Sequence, residues 1–299
     1  MTAEPRAAID DGVVNDWYAT VSNLPVHYLD YPGPSPAIVL LHGLSANANE
    51  FGGLIHEGLA ESHRVIAPDL RGRGRSAKPE HGYSMGEHAA DVIALLDYLG
   101  LDKVVMGGHS FGALLSIYLA AHCPSRVTKV VLIDAAIFFH PDTEKLLEPS
   151  LARLARVLPT TDAYIEEMKG AAHVAGMWDS AIEGYFRAEL QENADGTAQS
   201  LTSASAVEQA LRGVAAEEWA DLVGRVAHPV LLLNASEGFG PPGSPPLVPP
   251  DHALTTAEAF GNCRYVAVPG NHLTMVFGKN AAVVCREIED FLAPEVSGG

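Results

Sequence analysis

The chain has 299 residues, 47% of them hydrophobic, with 37 acidic against 19 basic side chains and a formal net charge of −18. That length permits one large α/β domain or two medium ones and is enough to bury a substantial core. The acidic surface repels nucleic acid and anionic membranes, so neither is an expected partner. Three cysteines with no C-x-x-C spacing argue against a disulfide framework or a zinc site. The apolar runs are too short to span a bilayer, and the polar start Met1-Thr2-Ala3-Glu4-Pro5-Arg6 lacks the apolar stretch of a secretory signal. A cytoplasmic protein is therefore expected.

Residues 1–23 are expected to form an N-terminal arm, with Trp17 to Val21 and Val26 to Tyr31 patterned as an opening antiparallel pair. Ala37-Ile38-Val39-Leu40-Leu41 is a continuous apolar strand of the kind found in sheets buried on both faces. His63 to Pro68 is the next strand. Met85 to Leu99 places apolar residues at helical spacing and stops at Gly100, a C-terminal cap. A strand over 103–107 leads into Gly108-His109-Ser110-Phe111-Gly112, and Phe111 to His122 reads as a buried helix. Val127 to Ile133 is again a strand. This alternation predicts an α/β fold: a mostly parallel central sheet with helices on both faces. Residues 136–226 contain no good strand but several helical stretches, such as Leu151 to Leu158 and Tyr164 to Met168. They are predicted to form a helical lid inserted into a core made of 24–135 and 227–299. Strands resume at Val230 to Leu233 and Arg264 to Val268, separated by a proline- and glycine-rich loop over Gly238 to Pro250, and a helix follows over Ala281 to Leu292.

The pentapeptide Gly108 to Gly112 is a G-x-S-x-G motif, which places its serine on a sharp strand-to-helix turn with the hydroxyl exposed. The flanking glycines are needed because a Cβ there would collide with the turn and the neighbouring strand. The predicted strand before it and helix after it are the context the motif demands, so Ser110 is the candidate nucleophile. A serine hydroxyl is a weak nucleophile at neutral pH and needs a base within hydrogen-bond reach.

Four segments in order resemble the α/β-hydrolase superfamily over residues 24–292. They are Leu41-His42-Gly43-Leu44, Ala67-Pro68-Asp69-Leu70-Arg71-Gly72-Arg73-Gly74-Arg75-Ser76, the pentapeptide, and Val268-Pro269-Gly270-Asn271-His272. The resemblance implies that His272 is the general base and that the backbone N–H groups of Leu44 and Phe111 form the oxyanion hole. It implies structural roles for Asp69 and Arg71. The third triad member is left between two carboxylates. The commonest family pattern carries an aspartate after the strand that follows the lid, where this chain reads Asn234-Ala235-Ser236-Glu237-Gly238. Asp134 is the favoured acid, because branches such as the haloalkane dehalogenases carry it after the strand that follows the nucleophile helix. Glu237 is the alternative.

Candidates for the substrate pocket are His42 and His109 beside the nucleophile and, from the lid, Phe138, Phe139, Met168, Met177, Trp178, Tyr185 and Phe186. The expected reaction is hydrolysis of a carboxylic ester or lactone with an apolar group, through an acyl-enzyme and without metal or other cofactor. The same triad also serves thioester, amide and carbon–carbon hydrolysis or perhydrolysis, and the fold also serves non-catalytic ligand receptors. A serine in place of an aspartate argues against dehalogenase or epoxide hydrolase chemistry. No phosphate-binding or H-E-x-x-H motif occurs. The assembly is left open, a homodimer included.

Overall fold

Strands Ile38–Leu41, Val104–His109 and Val127–Ile133 are almost wholly buried, and their side chains alternate between two hydrophobic layers. Val39 and Leu41 join one layer, and Ile38 and Leu40 join the other. A sheet covered on both faces requires this pattern, which explains why the strands read as continuous apolar runs. A computed structural model describes residues 15–138, 148, 151–174 and 176–294.

Eight strands form the central sheet: β1 (Asn15–Val21), β2 (Leu24–Tyr31), β3 (Ile38–Leu41), β4 (Val65–Pro68), β5 (Val104–His109), β6 (Val127–Ile133), β10 (Val230–Ala235) and β11 (Cys263–Val268), in the order β1-β2-β4-β3-β5-β6-β10-β11. From β4 to β11 every neighbouring pair is parallel; β1 and β2 close one edge antiparallel. The α-helices are α1 (Gly52–His56), α2 (Leu59–Ser62), α3 (Met85–Tyr98), α4 (Phe111–His122), α5 (Thr161–Lys169), α6 (Ser180–Ala188), α7 (Ala204–Ala215), α8 (Trp219–Gly224), α9 (Pro250–Ala259) and α10 (Gly278–Leu292). Helices α3, α4 and α9 supply Met85, Leu96, Leu115, Leu119 and Ala253 to one layer. Helices α1, α2 and α10 supply Leu54, Leu59, Val284 and Ile288 to the other. Helix α3 starts at a capping box, in which Ser84 and Glu87 satisfy each other's backbone N–H groups, and Gly100 just past its end takes φ +66°. Among the described residues no helix is long and apolar enough to cross a membrane.

Two expectations are corrected. The sheet begins inside the segment assigned to the arm, because Asn15–Val21 is its first strand. The charge clamp behind this edge was not visible in the sequence. His27 is buried, with Nε2 2.7 Å from Asp16 and Nδ1 2.7 Å from Asp69. The segment 136–226 is also not purely helical. β7 (Val157–Leu158), β9 (Ala198–Ser200) and β8 (Leu190–Glu192) form a separate antiparallel sheet, and only 151–153 of the predicted 151–158 helix is helical. Strands of two or three residues are too short to display alternation. The Asp195-Gly196 pair, with Gly196 at φ +84°, is the hairpin signal that marks the second and third of them. Helices α7 and α8 in this segment pack directly on the core through Ala206, Ala210, Trp219, Leu222 and Val223.

The His27 clamp makes stability pH-dependent. Burial alone would lower the His27 pKa, but the two carboxylates outweigh it and raise it from 6.5 to about 9. The folded value lies above the unfolded one, so the stabilisation is complete below pH 6.5 and is lost as pH rises through about 9. At about 1.4 kcal/mol per pK unit the difference is about 3 kcal/mol. Urea melts of the wild type should weaken over that interval, and His27→Asn should be insensitive to it. Equal pH slopes for the two proteins contradict the clamp.

Candidate active site

Ser110 sits between β5 and α4 with φ +52° and ψ −114°, a conformation that a serine holds only when its surroundings impose it. They do so from both sides. The Ser110 N–H donates to the Ile133 carbonyl of β6 at 2.9 Å. A Cβ on Gly108 would lie 2.3 Å from the Gly112 carbonyl carbon, and a Cβ on Gly112 only 1.8 Å from the Leu41 oxygen. The turn is as tight as the motif requires.

Asp134 follows β6 at φ +47° and is 1% exposed. Its Oδ2 is 2.6 Å from Nδ1 of His272, and its Oδ1 accepts hydrogen bonds from the Ala235 N–H and the Asn234 side chain, both at 2.8 Å. A carboxylate so held fixes the imidazole proton on Nδ1 and leaves Nε2 basic. Burial lowers the His272 pKa, and the neighbouring His109 adds to that effect, outweighing Asp134. The ring is therefore neutral at pH 7 and able to take a proton. Glu237 is engaged elsewhere. Its exposed carboxylate accepts the Gly270 N–H at 3.2 Å and its own N–H donates to the Gly270 oxygen at 3.0 Å, which ties the ends of β10 and β11 together.

Phe111 is the first residue of α4, so its N–H has no partner within the helix and lies at the positive end of the dipole. The Leu44 N–H is bonded to no acceptor among the described residues, whereas the preceding Gly43 N–H is taken by Glu50 at 2.8 Å. Both positions thus keep a donor available for an oxyanion. Arg73 packs against this region, fully buried and without a carboxylate partner among the described residues. Its Nε donates to the Leu44 oxygen at 2.9 Å, its NH1 group donates to the Arg71 oxygen and to His88 Nε2, and its guanidinium carbon lies 5.3 Å from the Phe111 ring centre. Burial lowers its pKa to about 9, which still leaves a cation at neutral pH.

A family model described as the alpha/beta hydrolase fold matches residues 36–279. The chain belongs to this family. It is 30% identical over 208 residues to a 2-(acetamidomethylene)succinate hydrolase of Mesorhizobium japonicum, a match covering 68% of this chain and 71% of the relative. A crystal structure of E-2-(acetamidomethylene)succinate hydrolase is similar at a TM-score of 0.82, with 24% identity over 94% of this chain and 99% of the other. The enol-lactonase from Burkholderia xenovorans LB400 is similar at a TM-score of 0.69, with 21% identity over 92% of this chain and 99% of the other. Hydrolases thus recur among the proteins this hydrolase-fold chain resembles.

The predicted pocket residues fare unevenly. His42 is fully enclosed: Nε2 accepts the Leu70 N–H at 2.9 Å and Nδ1 donates to the Gly43 oxygen at 2.7 Å. It is a neutral tie inside the loop and offers a substrate no surface, which corrects that expectation. Phe138 is 46% exposed, and its backbone oxygen is 3.0 Å from His252 Nδ1. Phe139 lies outside the described residues. Trp178 stacks flat on Phe186 at 5.7 Å and donates to Glu183, while Tyr185 is buried against Phe186 and Phe277. Met177 faces the start of α10 at Gly278, and Met168 is buried in the layer that holds Leu54 and Val284. These contacts use the aromatic faces for packing among lid elements and the core. His109 is buried with its ring centre 4.4 Å from that of His272. The aromatic wall beside His272 is instead Phe239, edge-on at 5.8 Å, with His173 at 5.5 Å behind it. The lone Phe239 within a glycine- and proline-rich loop was the available sequence signal. Asn234, Glu50 and Arg73 had none that local reading could use.

Proposed function

We propose that this protein is a serine hydrolase that cleaves a carboxylic ester or lactone through an acyl-enzyme. The observation that carries the reading is the 2.6 Å His272–Asp134 contact in a fold that holds Ser110 strained at the head of α4. His272 Nε2 takes the Ser110 proton as the oxygen attacks the carbonyl carbon, and Asp134 stabilises the imidazolium that forms. The resulting oxyanion accepts hydrogen bonds from the Leu44 and Phe111 N–H groups. Collapse of the intermediate breaks the bond to the alkoxide oxygen, which receives the proton from His272. In a lactone this alcohol remains joined to the acyl group. Water then gives a proton to His272 and attacks the acyl-enzyme, releasing the acid and restoring Ser110. The structural likeness to an enol-lactonase supports the ester and lactone class.

A fluorophosphonate probe should label Ser110 in the folded protein, and Ser110→Ala should abolish both labelling and turnover of p-nitrophenyl esters. Turnover near the wild-type rate in Ser110→Ala overturns the reading. Wild-type labelling with no turnover across esters and lactones, but with turnover of thioesters or amides, moves the substrate class.

A further inference from the structure

Two buried ionisable groups beside Ser110 have no part in the mechanism above. Glu50 lies in the 3-10 turn Ala48–Phe51 that follows the proposed oxyanion loop and is 2% exposed. One of its oxygens accepts the Gly43 N–H at 2.8 Å and the other pairs with His109 Nδ1 at 3.0 Å. Gly43 immediately precedes Leu44, one proposed oxyanion donor. His109 precedes Ser110 and Phe111, the nucleophile and the other donor. A single carboxylate therefore joins the two segments whose separation sets the width of the oxyanion hole. The bracket also touches the nucleophile's surroundings: a Cβ on Gly43 would lie 3.2 Å from His109 Nδ1, 3.3 Å from Glu50 Oε1 and 3.7 Å from Ser110 Cβ.

Packing alone does not account for this pair. Burying a carboxylate costs several kcal/mol that pairing only partly returns, and apolar residues of the same volume fill such space at least as well. His109 Nε2 in addition has no full hydrogen bond among the described residues, a further cost for a buried polar atom.

We propose that Glu50 and His109 are positioning residues that clamp the oxyanion loop to the nucleophile elbow, with protonated His109 offsetting the Glu50 charge beside the developing oxyanion. The inference rests on the reading of Ser110 as the nucleophile. The groups that face the pair are Asp134 after β6, His272 after β11, His42 on the oxyanion loop and Tyr185 of α6. Burial alone would lower the His109 pKa, but Glu50, with Asp134 and the His272 backbone, raises it above the ordinary 6.5. His272 moves the other way. Adjacent histidines driven apart in this manner take different protonation states at one pH. His272 must be neutral, which sets an acid limb below pH 6.5, and His109 must be charged, which sets an alkaline limb above it.

The test is the rate at which a fluorophosphonate probe labels Ser110 as a function of pH, together with kcat and KM for p-nitrophenyl acetate. The wild type should give a bell. In His109→Gln the alkaline limb should vanish and the acid limb should move to higher pH, because a positive neighbour of His272 is gone. In Glu50→Gln the alkaline limb should move to lower pH. Each variant should lose about 10- to 100-fold in kcat, less than the loss on deleting an oxyanion donor outright, with little change in KM. Variants that label at the wild-type rate with unmoved limbs overturn the clamp. So do variants that lose folded protein while the remaining fraction keeps the wild-type pH profile. Failure of the wild type itself to label is a different result and counts against the nucleophile reading.

Discussion

Replacing Asp134 by Asn is expected to lower kcat by about four orders of magnitude while leaving the fold intact. Two donors, the Ala235 N–H and the Asn234 side-chain amide, already fix one oxygen of Asp134. An asparagine keeps its carbonyl oxygen on those donors and so turns its NH2 group toward His272. That group donates to Nδ1, forces the imidazole proton onto Nε2, and removes the lone pair that must accept the Ser110 proton. The left-handed backbone of position 134, φ +47°, suits asparagine as well as aspartate, so the defect is confined to chemistry. Glu237→Gln retains its bond to the Gly270 N–H and should change kcat by less than about threefold, as for a surface substitution away from the chemistry. Steady-state turnover of p-nitrophenyl acetate by both variants, with melting curves for each, decides the matter. A larger loss from Glu237→Gln transfers the acid to that residue.

Gly112→Ala is expected to be the most damaging single-methyl addition in the nucleophile elbow. The new Cβ would sit 1.8 Å from the Leu41 oxygen, 2.3 Å from the Leu41 carbonyl carbon and 2.8 Å from the His42 oxygen. These are backbone atoms, and Leu41 is paired to Gly108 across β3 and β5, so none can withdraw without breaking the centre of the sheet. Overpacking of a rigid site costs about 1–3 kcal/mol, and loss of the strand register adds to it, so destabilisation of about 3 kcal/mol or more is expected. Any folded fraction should also lose Ser110 labelling, because the displaced strand end leads directly into the oxyanion loop. Gly184→Ala is the matched control: it lies within α6 with nothing within 4 Å of the new methyl, and should gain about 0.5–1 kcal/mol. Urea melts within 1 kcal/mol of each other for the two variants are incompatible with the tight approach.

The parts of this molecule that sequence reveals are those written locally. The apolar runs of β3, β5 and β6 and the glycines around Ser110 are each dictated by contacts with near neighbours, so strand, turn and helix can be read from a few consecutive residues. The identity of the carboxylate was not local. Asp134 and Glu237 both follow strands whose ends point to the same side of a parallel sheet, and only the assembled register places one of them against His272. Glu50 shows the same limit more sharply. Fifty-nine positions separate it from His109, and in sequence it is one polar residue in a polar turn. Arg73 is one arginine among three in a glycine-rich stretch: Arg71, also buried, pairs with Asp91 and Arg75 pairs with Asp16, whereas Arg73 has no carboxylate partner among the described residues. The lid aromatics are open to either use in sequence, because aromatic character signals packing and pocket lining alike. Trp178, Tyr185 and Phe186 satisfy one another, whereas the ring that reaches His272 comes from an irregular loop.

That loop now has an unusual freedom. With Asp134, the proposed acid, at the end of the strand beside the one that leads to Ser110, the connection after β10 holds no member of the proposed triad, yet it delivers Phe239 to the His272 imidazole. Insertions, deletions and new side chains in residues 238–246, short of Val248, whose oxygen accepts the Asn234 amide that holds Asp134, are expected to change what the site accepts without changing how it reacts. Selection for a different substrate can therefore act on a segment that the chemistry does not hold in place.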